Sequence, residues 1–265
     1  MYKLIAFDLD DTLLQKDKTI SEIDLEAIKK AKDKGIYIII ATGRPIFGTL
    51  QYIKTLGLDE ENFIVSYNGA ITSSIDGNNI VLNEKLIGKD LKYLYNLSKE
   101  LNVNIHAFDN RGCITPKISE YTNLEVRIND IPLTVIDFST IKEDDEIIKV
   151  MFVDEPNNLD EVIKRLPNKV YEKYNVVKSA PFFLEFLNKK ADKWYGIKAV
   201  AKYLGIKENE IITFGDSEND MLMIKKSGLG IAMGNAIESV KKVAKYVAND
   251  NDKNGIAISI ERFVL

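Results

Sequence analysis

Short apolar runs alternate with amphipathic segments at the start of the chain. We predict strands over Leu4–Leu9, Ile36–Ala41 and Phe63–Ser66. Ile36–Ala41 is nearly all apolar and β-branched, a composition typical of a strand that is buried on both faces. Between the first two runs, the pattern predicts a helix that Ser21 caps at its N-terminus and that ends at Gly35. Strands that alternate with helices in this way predict a parallel α/β sheet.

The pattern changes after about Ile80. It then predicts a helix over Leu91–Leu101, a hairpin turn at Asp109–Gly112, strands over Ile147–Val153, Tyr171–Val177 and Phe182–Leu187, and a helix over Leu159–Leu166. The α/β alternation returns with a helix from Trp194 and a strand over Ile211–Phe214. We therefore predict an α/β fold: a doubly wound parallel-sheet core from residues 1–81 and 189–265, with an α+β domain inserted at 82–188.

Composition excludes several classes of protein. The run Ile36–Ala41 is among the longest apolar stretches, far shorter than the roughly 20 residues of a membrane helix, and the apolar start is too short for a signal peptide. The net charge of −4 argues against a nucleic-acid partner, which favours a basic face. The single cysteine, Cys113, rules out an internal disulfide and fits a reducing compartment, so we expect a cytoplasmic protein without a membrane partner.

Two carboxylates stand at the end of the first predicted strand, after the apolar run that ends at Phe7. Asp8 and Asp10 would lie beside each other at a sheet edge, an arrangement suited to phosphoryl transfer through an aspartyl-phosphate. Asp8 would attack phosphorus, while Asp10 would protonate the leaving oxygen and later deprotonate water. A strand end followed by a polar turn is the plain alternative. The similar run Gly215–Asp220, after another apolar strand, favours the catalytic interpretation.

These carboxylates would repel a phosphate dianion, so the chemistry requires a cation. Mg²⁺ prefers oxygen ligands and keeps several waters, so that a few carboxylates suffice. Asp216 follows a strand that we expect to end at the same edge as the first, which makes it the natural further ligand.

The end of the second strand offers groups that suit a phosphate. The Thr42 hydroxyl can donate to a phosphoryl oxygen, and Gly43 allows the backbone to approach. We predict a helix from Pro45 to Gly57, whose first N–H groups would point at the anion.

Four segments in this order resemble the motifs of the haloacid dehalogenase (HAD) superfamily: Asp8–Thr12, Ala41–Pro45, Lys193 and Gly215–Asp220. The large insertion resembles the C2-type cap of the Cof-type (class IIB) sugar-phosphatase family. The resemblance implies a HAD-like Rossmannoid core, a cap that determines the substrate, and a magnesium-dependent phosphatase. It implies the following roles: Asp8, Asp10, Thr42 and Lys193 in catalysis; Asp8, the backbone carbonyl of Asp10, and Asp216 as magnesium ligands; Leu9, Thr42, Gly43, Arg44, Lys193 and Asn219 in phosphate or substrate binding; Ser217, Asp220 and Asn68 in support.

The lysine assignment depends on the family pattern. Lys189 and Lys190 are rival candidates, but family members carry this lysine at the start of the helix that follows a Leu-Glu-hydrophobic strand, here Leu184–Phe186. The family commonly has glycine after the lysine, whereas this chain has Trp194.

Other polar residues have two interpretations each. Arg44 either meets substrate or lies on the surface, and Asn68 with Gly69 forms either the family's exit from the core or a simple turn. His106 and Cys113 are interpreted as structural residues, because the predicted reaction needs neither.

Rival functions fit less well. A phosphosugar mutase of this superfamily usually has a helical cap between the first two motifs, where this chain has room only for one helix. A P-type ATPase would have lysine in place of Asp10, and haloacid dehalogenase itself lacks the second aspartate. A phosphoacceptor signalling domain is smaller and carries its acceptor after a later strand. A catalytically silent binding protein would have lost a catalytic group. We expect a hydrolase whose partner is a small phosphorylated metabolite, either a sugar phosphate or a cofactor such as FMN or pyridoxal phosphate; the oligomeric state stays open.

Overall fold

The computed structural model describes residues 1–265, which divide into two compact units. Unit 1 comprises Met1–Gly43, Leu50–Asn83 and Asp192–Leu265, and unit 2 comprises Arg44–Thr49 and Glu84–Ala191. The catalytic and specificity roles given to the predicted domains stay predictions.

The chain contains sixteen strands and ten α-helices, besides several short 3₁₀ turns. The strands are β1 (Leu4–Phe7), β2 (Tyr37–Ala41), β3 (Phe63–Ser66), β4 (Ile71–Ser74), β5 (Ile80–Asn83), β6 (Leu86–Ile87), β7 (Asn104–Asp109), β8 (Gly112–Thr115), β9 (Leu133–Val135), β10 (Glu146–Ile147), β11 (Lys149–Val153), β12 (Tyr174–Ala180), β13 (Phe183–Asn188), β14 (Ile211–Gly215), β15 (Leu229–Ala232) and β16 (Tyr246–Val247). The α-helices are α1 (Glu22–Asp33), α2 (Leu50–Thr55), α3 (Gly88–Leu101), α4 (Glu120–Asn129), α5 (Pro156–Arg165), α6 (Asn168–Lys173), α7 (Lys193–Tyr203), α8 (Met221–Lys226), α9 (Glu238–Val243) and α10 (Gly255–Phe263). None of them combines the length and the hydropathy of a membrane span.

Unit 1 is built on one eight-stranded sheet with the order β16-β15-β14-β1-β2-β3-β4-β5. The strands from β16 to β3 are parallel, which confirms the predicted α/β class, and β4 and β5 extend the sheet in antiparallel fashion. Trp194, Ile197 and Val200 of α7 pack with apolar strand residues in the core of this unit. The helix that carries the predicted lysine is thereby fixed on the sheet.

Unit 2 contains a six-stranded sheet with the order β12-β13-β11-β7-β8-β9 and a short ladder between β6 and β10. One face of the large sheet supplies apolar residues such as Val150, Phe152 and Phe186 to a core under α3 and α5. Because strand side chains alternate between faces, Lys149 and Glu185 lie on the opposite face. The side chains of Lys149 and Glu185 are both buried on this face, where they form an ion pair.

Two predicted elements are wrong in part. The predicted strand over Tyr171–Val177 begins only at Tyr174, because Pro167 caps a short helix, α6, that buries Val170. The helix expected from Pro45 to Gly57 is replaced by a 3₁₀ turn over Ile46–Thr49 in unit 2, followed by α2 in unit 1. At Gly48 a Cβ would lie 2.8 Å from the Asn129 side-chain oxygen, so this turn packs closely against α4.

Candidate active site

Three buried aspartates meet at one edge of the sheet of unit 1. β1 and β14 are adjacent and parallel, with Phe7 opposite Phe214. The residues that follow them therefore lie next to each other at the carboxyl ends of the strands. Asp8, Asp216 and Asp220 each offer a carboxylate oxygen there, and these oxygens lie within 4.8 Å of one another. All three residues are buried.

Lys193 is the only lysine in direct contact with this cluster. Its Nζ donates to Asp8 Oδ1 at 2.6 Å and to Asp220 Oδ1 at 2.7 Å, and the side chain is completely buried. Burial alone would lower the pKa of Lys193, but the negative charges of Asp220 and Asp8 raise it above its ordinary value. The rival Lys189 instead donates to the Tyr171 carbonyl in unit 2.

Trp194 does not disturb the placement of this lysine. Its backbone N–H donates to Asp192 Oδ1 at 2.8 Å, which caps α7, and its ring is buried in the core of unit 1. The N-terminus of α7 also packs closely against Gly69 (φ +88°), where a Cβ would lie 2.2 Å from the Asp192 carbonyl oxygen. Only glycine allows this close approach to the residue that precedes Lys193.

Asp220 organises the loop after β14. Its Oδ2 accepts from the backbone N–H groups of Asp216 at 2.9 Å and Ser217 at 3.0 Å, while its Oδ1 accepts from Lys193. A Cβ at Gly215 would lie 2.5 Å from Asp220 Cβ, so the turn requires glycine there. Both carboxylate oxygens of Asp220 are thus engaged within the protein.

Asp216 is held by two hydroxyl groups. Thr12 Oγ1 donates to its Oδ1 and Ser217 Oγ donates to its Oδ2, each at 2.7 Å. Burial and then the charge of Asp220 raise the pKa of Asp216 to about 6. Burial likewise raises the pKa of Asp8 well above its ordinary value; the charge of Asp220 adds to this effect, and Lys193 opposes it.

The cluster fits a divalent metal ion. Three carboxylates face one lysine ammonium, and the raised pKa values of Asp8 and Asp216 reflect this excess of negative charge together with burial. Carboxylate oxygens are hard ligands of the kind that Mg²⁺ prefers. Asp8 and Asp216 are better candidates for ligands than Asp220, whose two oxygens already accept three hydrogen bonds.

Asp10 lies in the loop after β1, beside a lysine that the sequence analysis did not select. Lys18 Nζ is 3.0 Å from Asp10 Oδ1, and the Asp10 side chain is 39% exposed. The next residue, Asp11, adopts a left-handed conformation (φ 57°, ψ 9°), which turns the chain sharply. Leu9 is fully buried in this loop, so only its backbone could meet a ligand.

Asn68 connects the loop after β2 with the loop after β14. Its backbone N–H donates to the Thr42 carbonyl at 2.9 Å, and its Oδ1 accepts from Asn219 Nδ2 at 3.0 Å. A Cβ at Gly43 would lie 3.0 Å from Asn68 Nδ2. The structure therefore brings four of the predicted residues together: Thr42, Gly43, Asn68 and Asn219. From the sequence alone, the turn at Asn68 could not be distinguished from an ordinary turn without a functional role.

Arg44 lies in unit 2, in the segment Arg44–Thr49. Its Nη1 donates to the Gly48 carbonyl at 3.3 Å. Burial raises the pKa of Glu125, and the charges of Lys149 and Arg44 oppose that rise. Substrate binding by Arg44 stays a prediction.

His106 and Cys113 have the properties of structural residues. Burial and the charge of Lys149 lower the pKa of His106 to about 3, which keeps the imidazole neutral, and its Nδ1 lies 3.4 Å from Thr122 Oγ1. Burial and the charge of Glu125 raise the pKa of Cys113 to about 12, so the thiol stays protonated and is a poor nucleophile.

Three residues of this region escaped the sequence analysis: Thr12, Lys18 and Asp192. Thr12 stands inside the first motif, so its position was visible although its contact with Asp216 was not. Asp192 precedes an amphipathic helix, which is an N-cap signal. Nothing local to Lys18 indicates that it pairs with Asp10.

The sequence profile of a family described as haloacid dehalogenase-like hydrolase matches residues 5–260. The chain belongs to this family. This match and the similar proteins confirm three predictions made from the sequence: the HAD superfamily, the α/β fold class, and an enzyme that is a hydrolase of the phosphatase type. YxeH of Bacillus subtilis, which carries a provisional phosphatase name, is 40% identical over 100% of this chain and 99% of its own length.

Two further relatives cover nearly the whole chain. The 5-amino-6-(5-phospho-D-ribitylamino)uracil phosphatase YcsE of B. subtilis is 31% identical over 99% of this chain and 96% of its own. The crystal structure of a haloacid dehalogenase-like hydrolase from Bacteroides thetaiotaomicron superposes with a TM-score of 0.86 at 32% identity, covering 99% of both chains. The likeness thus extends over both units and not over the sheet of unit 1 alone.

Proposed function

We propose that this HAD hydrolase is a magnesium-dependent phosphatase that hydrolyses small phosphomonoesters through an aspartyl-phosphate on Asp8. The observation that carries the proposal is the contact of Asp8 with Lys193 inside a buried cluster where carboxylates outnumber the cation. A nucleophilic carboxylate must be ionised, yet burial raises the pKa of Asp8. Such a site needs additional positive charge before it can attack a phosphate.

Asp8, Asp216 and the backbone carbonyl of Asp10 would hold the metal ion. When bound, Mg²⁺ would offset the charge of the carboxylates and of the phosphate dianion. Thr12 and Ser217 orient the Asp216 carboxylate through their hydroxyl groups, and Asp220 fixes the loop backbone beneath it. These contacts leave Asp216 little freedom to rotate, as a metal ligand requires.

The reaction would proceed in two half-reactions at Asp8. Its carboxylate attacks phosphorus in line while Asp10 donates a proton to the leaving oxygen, which yields the aspartyl-phosphate and the alcohol. Asp10 then removes a proton from a water molecule that attacks phosphorus and releases Asp8. Lys193 holds the Asp8 oxygen in place, and the ammonium of Lys18 donates to Asp10 Oδ1 and orients that carboxylate.

Phosphate binding is proposed for the loops after β1, β2 and β14. The Thr42 hydroxyl and the backbone at Leu9 and Gly43 would donate to phosphoryl oxygens, with Asn219 and Lys193 nearby. The hydrogen bonds of Asn68 to Thr42 and to Asn219 support this proposal, because they hold two of these loops in one arrangement.

The substrate class is proposed as sugar phosphates or phosphorylated cofactors such as FMN or pyridoxal phosphate. The relative YcsE, named for the phosphate ester of a ribityl compound, supports a small phosphorylated metabolite as the ligand. A cytoplasmic location stays a prediction that rests on the single cysteine.

The deciding experiment measures phosphate release from sugar phosphates, nucleotides, FMN and pyridoxal phosphate, with Mg²⁺ or with EDTA. We expect Asp8→Asn to lose at least about 10³-fold of the magnesium-dependent turnover, because it removes the nucleophile. Asp24→Asn is the matched control, since Asp24 is also buried but bonds to Ser21 and to the Ala257 backbone.

Two results would contradict the proposal. Activity of Asp8→Asn close to that of the wild type would exclude the covalent mechanism. No release from any compound would favour a silent binding protein, or a mutase that needs a bisphosphate activator.

A further inference from the structure

Two asparagine side chains hold the loop that follows β1. Asn235 Nδ2 donates to the Asp11 carbonyl at 2.7 Å, and Asn251 Nδ2 donates to the Leu14 carbonyl at 2.8 Å. The two asparagines are also joined, because the backbone N–H of Asn251 donates to Asn235 Oδ1 at 3.0 Å. We call this pair, Asn235 and Asn251, the amide clamp. No motif recognised in the sequence includes either residue.

The amide clamp donates hydrogen bonds to the backbone on both sides of Thr12. Thr12 lies between the two bonded carbonyls of Asp11 and Leu14, and its hydroxyl donates to Asp216 Oδ1 at 2.7 Å. A shift of this segment would therefore move a hydrogen-bond donor of the Asp216 carboxylate. Thr12 thereby connects the clamp to the carboxylate of Asp216.

The clamped segment contains an unfavourable backbone conformation. Asp11 has φ 57° and ψ 9°, a left-handed region that residues other than glycine seldom occupy. Such a conformation persists only where the surrounding structure holds it. The bond from Asn235 ends on the carbonyl of this same residue, immediately after Asp10.

We propose that Asn235 and Asn251 are positioning residues for phosphoryl transfer. They hold the segment from Asp10 to Leu14 so that the Asp10 carboxylate, the Asp10 carbonyl and the Thr12 hydroxyl keep the arrangement that the reaction requires. This inference rests on the proposed function, and neither asparagine touches the reacting atoms.

A purely structural tie is the competing explanation, and the chain offers a matched control for it. Asn158 also donates its side-chain amide to a distant backbone carbonyl, that of Asn102 at 3.4 Å, but it does so in unit 2. Asn235 is exposed, so its replacement by alanine should fold even if that of the buried Asn251 does not.

The test compares Asn235→Ala, Asn251→Ala and Asn158→Ala with the wild type, using p-nitrophenyl phosphate as the substrate. We expect Asn235→Ala to lower kcat about 10-fold with KM within twofold, and to raise the Mg²⁺ concentration for half-maximal rate several-fold. Asn158→Ala should leave all three values unchanged. Asn235→Asp should behave like Asn235→Ala, because it keeps the acceptor for Asn251 but loses the donor to Asp11.

A second readout does not need turnover: the rise in Tm when MgCl₂ is added. We expect this rise to be smaller in Asn235→Ala than in the wild type and in Asn158→Ala. Unchanged kcat together with an unchanged magnesium response in Asn235→Ala would overturn the inference. If the wild type releases no phosphate, the proposed function fails, and the clamp is then judged by the Tm response alone, where equal rises in the two proteins would overturn it.

Discussion

Each unit contains a cluster of buried charges, and the two clusters differ in their balance. In unit 1, the carboxylates of Asp8, Asp216 and Asp220 face the single ammonium of Lys193. In unit 2, Lys149 Nζ lies 3.3 Å from Glu185 Oε2 and 3.8 Å from Glu125 Oε1, and Arg44 adds a second positive charge that acts on Glu125. Two carboxylates thus face two cations in unit 2.

This difference distinguishes a candidate metal site in unit 1 from a network of ion pairs in unit 2 that stabilises the fold. A buried charge is tolerated when a partner of opposite charge compensates it, and unit 2 contains its own partners. The cluster of unit 1 is left with an excess of negative charge, which a cation from solution can compensate. A bound metal ion would therefore offset the excess in unit 1, whereas the carboxylates in unit 2 have positively charged partners within the protein.

The largest effect on phosphate release is expected from Lys193→Met. The substitution leaves Asp8 and Asp220 buried without their only cation, so the free energy of unfolding should fall by about 3–5 kcal/mol. Turnover should fall at least about 10³-fold, because the nucleophile also loses the group that orients it. Urea denaturation and phosphate release measure the two effects.

Lys189→Met is the control for this substitution. Lys189 is a nearby lysine whose Nζ donates only to backbone carbonyls of unit 2. Equal losses in the two variants would show that the contact of Lys193 with Asp8 has no special role.

The next effect is expected from Asp216→Asn, which keeps the shape of the side chain but removes a charge. At a Mg²⁺ concentration ten times its dissociation constant, the ion should stabilise the wild type by about 1.4 kcal/mol. Asp216→Asn should lose most of this stabilisation and need at least about tenfold more Mg²⁺ for turnover. Tm values in MgCl₂ and in EDTA test the change, and an unchanged magnesium response would mean that the metal binds elsewhere.

A separate effect, on stability and not on turnover, should appear in the pH dependence of the metal-free protein. The pKa of Asp216 is about 6 in the folded state, above its ordinary value of 3.8, so the folded protein binds this proton more tightly than the unfolded chain. The free energy of unfolding should therefore fall as the pH rises from about 4 to about 6, by at most about 3 kcal/mol from this group.

Asp216→Asn isolates that contribution, because it removes the titrating group. The difference in unfolding free energy between wild type and variant should change across this pH window in EDTA. A difference that stays constant from pH 4 to pH 7 would contradict the raised pKa.

Local sequence patterns predicted the parallel sheet and the residues that end its strands. Apolar β-branched runs specify buried strands, and parallel neighbours bring Asp8 and Asp216 to one edge, so these placements follow from short-range information. The bond from Asn251 to Leu14 joins residues 237 positions apart, and no local pattern encodes such a pairing. The break after Pro45 was equally hidden, because it depends on the packing of Gly48 against Asn129.

The smallest effect on turnover is expected from Glu185→Gln in the balanced cluster. The amide can still accept a hydrogen bond from Lys149, and Glu125 and Arg44 remain, so the free energy of unfolding should fall by only about 2 kcal/mol. Phosphate release per folded molecule and the Mg²⁺ requirement should stay within twofold of the wild type. Both are measured on the same preparation, with the folded fraction determined by circular dichroism. A large loss of turnover in a stably folded Glu185→Gln protein would break the comparison, because the charges of unit 2 would then serve the reaction as well as the fold.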